Sequence, residues 1–158
     1  MNNKVMVENL TSRRVVLRIP EVNLKAVFEK KGVKRPINIE VLQQALYDSG
    51  VEYMFTQGIL GIDDMEQKKF LGLEPEDAAA PQNIIILTEN QKTRLLTVAP
   101  LRDLKETLET LPYEQIRELA SFAIEHEYTN IDKCDLLKKY TQIDIIKAVQ
   151  LNRQNKED

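Results

Sequence analysis

The spacing of apolar residues changes along this chain from a period of two to a period of three to four. In the run of residues 13–19, Val15, Leu17 and Ile19 alternate with polar or charged neighbours, which predicts a strand with one buried face. In the second half, leucines recur at spacings of three and four, at Leu101, Leu104, Leu108 and Leu111, which predicts an amphipathic helix. The sequence therefore predicts an α+β fold, with a small N-terminal antiparallel sheet and short helices followed by a C-terminal helical bundle.

The N-terminal third predicts three short strands. They are expected at residues 4–7, 13–19 and 25–29, and a hairpin turn at Asn9–Ser12 is expected to join the first two. The basic stretch Lys30–Arg35 is interpreted as a loop. One hairpin alone is marginal in water, so the three strands are expected to form one antiparallel sheet.

Helix signals begin at Asn38, which is expected to cap a helix that Ser49–Gly50 ends. Ile59–Leu60 is interpreted as a strand or turn between two glycines. Asp63 and Asp64 are then expected to begin a short helix through Phe70, because acids suit a helix N-terminus.

Residues 73–82 contain two prolines, three acids and few bulky side chains, and are interpreted as a linker or surface loop. This boundary gives an N-terminal β-rich α+β unit over residues 1–72 and a C-terminal helical unit over residues 83–158. Ile84–Leu87 is a β-branched run that is interpreted as a strand.

Start signals predict the remaining helices. Thr88 and Gln91 fit a capping box, and Pro112 fits the first turn of a helix. Asn130 or Asp132 is expected to begin a further helix, and residues 142–152 form the last one.

Composition limits the class of protein. Apolar residues make up 42% and charged residues 30% of the 158 residues, which is typical of a globular chain. Neither a membrane-spanning stretch nor the apolar core of a signal peptide is recognised, so we expect a protein that is made in the cytoplasm and stays there.

Charge is unevenly distributed. Residues 1–36 hold nine Lys and Arg against three Glu, whereas residues 61–79 hold six acids against two Lys. Such asymmetry suggests an electrostatic partner, although cations also protect sheet edges from pairing. The candidate partner-binding residues are Arg13, Arg14, Arg18, Lys30, Lys31, Lys34 and Arg35.

Residues that carry catalysis are scarce. Cys134 is interpreted as a buried helix residue and His126 as the C-terminal residue of a helix, where an imidazolium complements the dipole. Glycine order matches no phosphate-binding loop, and Asp63-Asp64 lacks the pattern of a calcium loop. We therefore expect no catalytic site, no metal site and no cofactor. An enzyme that uses a metal at Asp63 and Asp64 is the least favoured hypothesis.

The C-terminal pattern resembles small virion-associated structural proteins of tailed phages or prophages of Gram-positive bacteria. It comprises Asp132-x-x-x-x-Leu137 and Thr141-x-x-Asp144-x-x-Lys147-Ala148-Val149-x-x-Asn152. The N-terminal half is similar to the same proteins in Val5, Val7 and Asn9, Ile19-Pro20, Gly50-Val51-Glu52-Tyr53, and Leu60-x-Ile62. The resemblance covers most of the chain, but no motif within residues 73–100 contributes to it.

The resemblance implies a non-enzymatic virion structural or assembly component that acts through protein-protein interfaces. It implies no station in the particle and no functional residues. The expected partners are phage structural proteins and a second copy of the chain. The alternative is a small phage regulator that binds nucleic acid or a host protein through the basic N-terminal sheet. Aromatic residues that stack on bases are scarce there, with Phe28 alone in the segment, so nucleic acid is the less favoured partner.

Overall fold

A computed structural model of the chain describes residues 3–79 and 86–157. The chain divides into two compact units, Met1–Ile84 and Ile85–Asp158, each with its own cluster of buried apolar residues. Strands and three short helices form the first unit, and the second unit is helical over its described residues. The fold is therefore α+β, as the change of apolar period predicts.

Five strands occur in the described part of the first unit. They are β1 (Lys4–Asn9), β2 (Val15–Ile19), β3 (Leu24–Phe28), β4 (Lys34–Asn38) and β5 (Leu60–Ile62). They form two antiparallel sheets, one with the order β4-β1-β5 and one made of β2 and β3. We call the β2–β3 pair the ribbon.

The expected hairpin between β1 and β2 is wrong, and so is the single three-stranded sheet. Both edges of β1 are occupied, because Val7 lies opposite Arg35 of β4 on one side and Ile62 of β5 on the other. β2 therefore pairs with β3 instead. β4 overlaps the expected loop at Lys30–Arg35 and contains Pro36, which β4 tolerates as an edge strand of its sheet.

The buried amide of Asn9 ties the ribbon to the end of β1. Its Nδ2 donates to the Arg13 carbonyl at 2.7 Å and to the Phe28 carbonyl at 3.4 Å. Its Oδ1 accepts from both the backbone N–H and the hydroxyl of Thr11 at 2.9 Å. All of the amide's donors and acceptors are thus used inside the protein. These hydrogen bonds organise the segment in which a hairpin turn was expected.

Three short helices complete the described part of the first unit: α1 (Ile39–Ala45), α2 (Ser49–Thr56) and α3 (Met65–Phe70). Asn38 caps α1 and Asp64 caps α3, which confirms both start signals. Ser49 and Gly50 begin α2 rather than simply ending α1, because the Asp48 carboxylate accepts from the N–H groups of Gly50 and Val51.

The first part of the expected linker packs within the first unit. Leu73 belongs to its core cluster, and Ala78 is buried. The side chain of Glu74 is fully buried and lies 3.9 Å from the Lys68 amine. Residues 80–82 lie outside the described residues. So do residues 84–85 of the strand expected over Ile84–Leu87, and residues 86–87 are not in a strand.

The described part of the second unit contains α4 (Glu89–Leu96), α5 (Leu101–Leu108), α6 (Tyr113–Glu125), α7 (Ile131–Thr141) and α8 (Ile145–Glu157). α6 packs against α4, α7 and α8, and α5 packs against α4 and α7. Leu104, Leu119, Leu137 and Ile145 are fully buried in the core. The leucine stripe of α5 faces this core except at Leu101, which is exposed at the first turn.

Local signals set the helix ends in this unit. Thr88 and Gln91 form the expected capping box on α4. α8 begins later than expected, because Gln142 takes a left-handed conformation at the end of α7 and the Asp144 carboxylate accepts from the Lys147 N–H. This hydrogen bond is the main reason why the pKa of the Asp144 carboxyl lies below its ordinary value.

Candidate functional site

The seven candidate cations are all exposed and lie on neighbouring segments of the first unit. They are Arg13, Arg14 and Arg18 at β2, Lys30 and Lys31 in the connection from β3 to β4, and Lys34 and Arg35 on β4. β3 contacts β4, and the Arg35 Nε donates to the Val27 carbonyl at 3.1 Å. These segments are therefore neighbours in the first unit, but the structure gives the seven cations different surroundings.

The outer face of the ribbon combines apolar and charged pairs. Val16 lies opposite Val27, and Arg18 lies opposite Lys25. Beyond Val16 and Val27 on the same face, the Arg14 Nε contacts the Glu29 carboxylate at 3.3 Å. We call these three pairs the ribbon face. Its inner counterpart, formed by Val15, Leu17, Leu24 and Phe28, is buried in the core.

The alternation of β2 explains this two-sided character. Successive strand residues point to opposite faces, so burying Val15 and Leu17 places Arg14, Val16 and Arg18 outward. The connection to β3 is a turn of 3₁₀ helix at Pro20–Val22, which is closed by Asn23 in a left-handed conformation.

Arg18 and Lys25 carry no hydrogen bond or ion pair to another side chain in the described part of the chain. Two like charges that face each other across a strand pair repel. This end of the ribbon face therefore presents positive charge that the described part of the first unit does not compensate.

Lys25 was missed among the sequence-based candidates. It contributed to the basic total of residues 1–36, but its position opposite Arg18 depends on the register of β2 and β3. The position of Lys25 follows from the length of the connection between the strands. A connection of four residues, 20–23, pairs Ile19 with Leu24, and the next pair along the two strands is then Arg18 with Lys25.

Lys34, like Arg14, is a candidate whose charge is compensated by carboxylates of the first unit. Its amine lies 3.8 Å from a Glu8 oxygen and 3.7 Å from an Asp63 oxygen. It lines a cavity of about 330 Å³ with Lys4, Met6, Ile62, Asp63, Asp64 and Gln67. Lys34 is thus part of a mixed-charge surface of the other sheet rather than a free cation.

Lys30 and Lys31 lie in a turn that the backbone fixes. Gly32 donates to the Asn9 carbonyl at 2.9 Å, and Val33 donates to the Lys30 carbonyl at 3.2 Å. Gly32 has a φ of +85°, a conformation that side chains with a Cβ rarely adopt. Within the described residues, both lysine amines lack ion-pair partners, so the turn presents two further positive charges.

The acids at 63–64 have structural roles. The Asp64 Oδ1 accepts from the Gln67 N–H at 3.0 Å as the cap of α3, and Asp63 contacts Lys34. Across residues 3–79 and 86–157, no group of three or more His, Cys, Asp or Glu is arranged to hold a metal ion.

Cys134 and His126 lie in the second unit. Cys134 is buried in the core, as expected, and its thiol donates to the Tyr128 carbonyl at 3.6 Å. Burial raises the pKa of this thiol, as do Asp135 and Asp144, so the reactive thiolate is disfavoured. His126 follows α6, as expected, and its ring lies beside those of Phe122 and Tyr128, with centroids 4.1 Å and 5.6 Å away.

Comparisons with known proteins give no relative. No family model matches the chain, and neither do the curated proteins or the solved structures that were searched. None of the helices in the described ranges combines the length and the apolar composition needed to cross a membrane.

Proposed function

We propose that this chain is a non-enzymatic assembly component that binds an acidic surface of another protein through the ribbon face. In the setting that the sequence resemblance implies, it is a virion-associated protein of a tailed phage, made in the bacterial host cytoplasm. The observation that carries the proposal is the uncompensated pair of Arg18 and Lys25 beside the apolar pair of Val16 and Val27.

The composition of the ribbon face supports a protein partner. Protein interfaces combine an apolar, dehydrated centre with a polar and charged rim. Val16 is 37% exposed, a large fraction for a valine in the middle of a strand. The cations beside it favour an acidic partner and disfavour a basic one, which gives specificity as well as faster association.

Nucleic acid is the weaker interpretation of the same face. A two-stranded ribbon has the dimensions to enter the major groove of DNA, and Arg18 and Lys25 suit phosphates. Glu29 and the valine pair, however, place a negative charge and an apolar surface where phosphates would lie. Phe28 is fully buried and so does not stack on bases.

Photo-cross-linking tests the proposal. A photoreactive amino acid at Val16 is introduced into the full chain, which is then expressed with the phage genome that encodes it. We expect the purified particles to contain the chain cross-linked to a second particle protein. The matched control carries the same amino acid at Leu151, which is 50% exposed on α8 of the second unit.

Three outcomes contradict the proposal. One is absence of the chain from the particles. Another is a cross-link from Val16 to nucleic acid, with a native mass that shifts on adding a DNA duplex at low salt. The third is retention of the cross-link when both Arg18 and Lys25 are changed to Glu. Changing Arg102 and Lys105 to Glu, two exposed cations of α5, controls for the change of net charge.

A further inference from the structure

The edge of the ribbon formed by β2 has backbone groups that point outward. β2 pairs with β3 on one side only, and no other described strand joins it. An exposed edge of this kind presents a row of N–H and C=O groups that a further strand can bind.

Two contacts show which residues of β2 contribute to this row. The Asn9 amide reaches both the Arg13 and Phe28 carbonyls, so these carbonyls lie between the two strands. The Val27 carbonyl instead accepts from Arg35, outside the ribbon. In an antiparallel ladder, inward and outward residues alternate, and Val16 lies opposite Val27.

This alternation turns the N–H and C=O groups of Val16 and Arg18 to the free edge of β2. In the described part of the protein, neither residue has a hydrogen bond outside the β2–β3 ladder. The side chains of both residues lie on the ribbon face. Unpaired backbone groups and uncompensated positive charge therefore coincide at the same two residues.

We propose that an extended acidic segment of the partner protein adds to β2 as a third strand of the ribbon. Its backbone pairs with Val16 and Arg18, an apolar side chain lies beside Val16, and carboxylates lie beside Arg14 and Arg18. The proposal rests on the function proposed above and specifies how the same face binds its partner. A strand matched to the five residues of β2 is ~17 Å long.

A second copy of the chain fits this edge less well. If β2 paired with its own copy about Val16, Arg14 of each copy would lie opposite Arg18 of the other. Like charges directly opposite destabilise a strand pair, whereas carboxylates at the same positions stabilise it. Charge complementarity therefore selects an acidic strand from another protein.

A designed peptide and its N-methylated forms test strand addition on the full chain. The parent is a capped peptide of seven residues with glutamate at its second and sixth positions, valine at its fourth and threonine elsewhere. One variant is N-methylated at the valine and both glutamates, which removes the N–H groups that would face β2. The control is N-methylated at the threonines in the third, fifth and seventh positions, whose N–H groups face away from β2.

We expect the parent and the control to bind with similar affinity. The variant methylated on the near edge is expected to bind at least about tenfold more weakly, because the hydrogen bonds to β2 are lost while its charge is unchanged. Hydrogen exchange is the second measurement. Binding of the parent is expected to slow exchange of the Val16 and Arg18 amides but not of the Leu17 amide, which already faces β3.

Equal, salt-dependent binding of both methylated peptides would overturn strand addition and leave an electrostatic contact of the ribbon face intact. Failure of the parent peptide to bind also contradicts the inference. So does a homodimer that prevents the parent peptide from binding, because a second copy would then occupy the edge. The proposed function is judged separately by cross-linking from Val16, so failure of the two proposals can be distinguished.

Discussion

Arg18 lies directly opposite Lys25 across the β2–β3 ladder, and neither cation has a carboxylate partner in the described part of the chain. Opposed like charges destabilise a strand pair, so this arrangement weakens the ribbon while it prepares the ribbon face for an acidic partner. An isolated protein should therefore gain stability when one of the two charges is reversed.

We expect Lys25→Glu to raise the free energy of unfolding by about 0.5 kcal/mol at low salt, because it converts a repulsive pair into an attractive one. Urea denaturation at low and high salt measures this, and salt should reduce the gain because both side chains are exposed. Lys31→Glu makes the same charge change in the turn after β3 and should give a smaller gain. Equal effects of the two substitutions would show that net charge, not the cross-strand pair, is responsible.

Asn9 is the residue whose loss should most disturb the position of the ribbon. It is fully buried, and Asn9→Ala removes the amide that binds Thr11, Arg13 and Phe28. We expect the free energy of unfolding to fall by about 3 kcal/mol, because buried partners lose their hydrogen bonds. Urea denaturation provides the measurement, with Asn90→Ala on the exposed side of α4 as the control.

Asn9→Asp tests the donor role of this amide separately from its acceptor role. The carboxylate keeps the acceptor for Thr11 but cannot donate to the Arg13 and Phe28 carbonyls. The substitution should therefore also lower the free energy of unfolding and speed amide exchange in β2 and β3. Stability equal to that of the unsubstituted protein would show that these carbonyls do not need the amide.

Local patterns were sufficient to predict most helices and the inner face of β2. Asn38, Asp64 and Thr88 each cap the helix that they were expected to begin, because a cap depends on residues within four positions of it. The alternation of apolar and polar residues likewise predicts that Val15 and Leu17 are buried, because it depends only on residues close together in the sequence.

Strand pairing was not predictable in the same way. β1 is paired by β4 and by β5, and the latter lies more than 50 residues further along the chain. Nothing in the local pattern of residues 4–19 excludes a hairpin; the hairpin is excluded because other strands occupy both edges of β1. The loop predicted over Lys30–Arg35 includes Gly32, but its last two residues, Lys34 and Arg35, belong to β4.

The candidate site was predictable as a set of cations but not as a surface. A count of charge treats Lys34 and Arg18 alike, yet Lys34 is paired with Glu8 and Asp63. The structure also adds Lys25, whose importance depends on the register across the ribbon. Which charges are compensated is a property of the tertiary structure, so sequence alone could not rank these residues.

Removal of one member of the buried pair of Lys68 and Glu74 should strongly destabilise the first unit. The side chain of Glu74 is fully buried, and that of Lys68 is 10% exposed. We expect Glu74→Ala to lower the free energy of unfolding by about 3 kcal/mol, because it leaves the Lys68 amine buried without its carboxylate. Urea denaturation measures the change.

Replacing both members of this pair by apolar residues should be less harmful than removing one. Lys68→Met with Glu74→Leu removes both charges and should recover most of the stability lost in Glu74→Ala. Glu76→Ala, at an exposed acid of the same segment, is the control and should change stability by less than about 0.5 kcal/mol. A Glu74→Ala effect no larger than that of the control would refute the role of the buried pair.

Lys133 should make the stability of the second unit depend on alkaline pH. Its amine donates to the Thr97 carbonyl at 3.2 Å and to the Ala99 carbonyl at 2.6 Å, and the residue is buried. Burial lowers the pKa of this amine, and the charge of Asp103 only partly opposes the effect. The folded protein therefore releases this proton at a lower pH than the unfolded chain does.

At a pH between the lowered pKa of folded Lys133 and the ordinary lysine value of 10.5, the unfolded state binds more protons than the folded state. The contribution of this group to the free energy of unfolding therefore rises with pH in that interval. Below that interval both states are protonated, and the group contributes no slope. Urea denaturation followed by circular dichroism over the alkaline range should show the rise. Lys133→Met should remove it, and should also lower stability at neutral pH by about 2 kcal/mol, because two carbonyls lose their donor. Lys139→Met, an exposed lysine of α7, should retain the slope, and an identical slope in both variants would assign it to other groups.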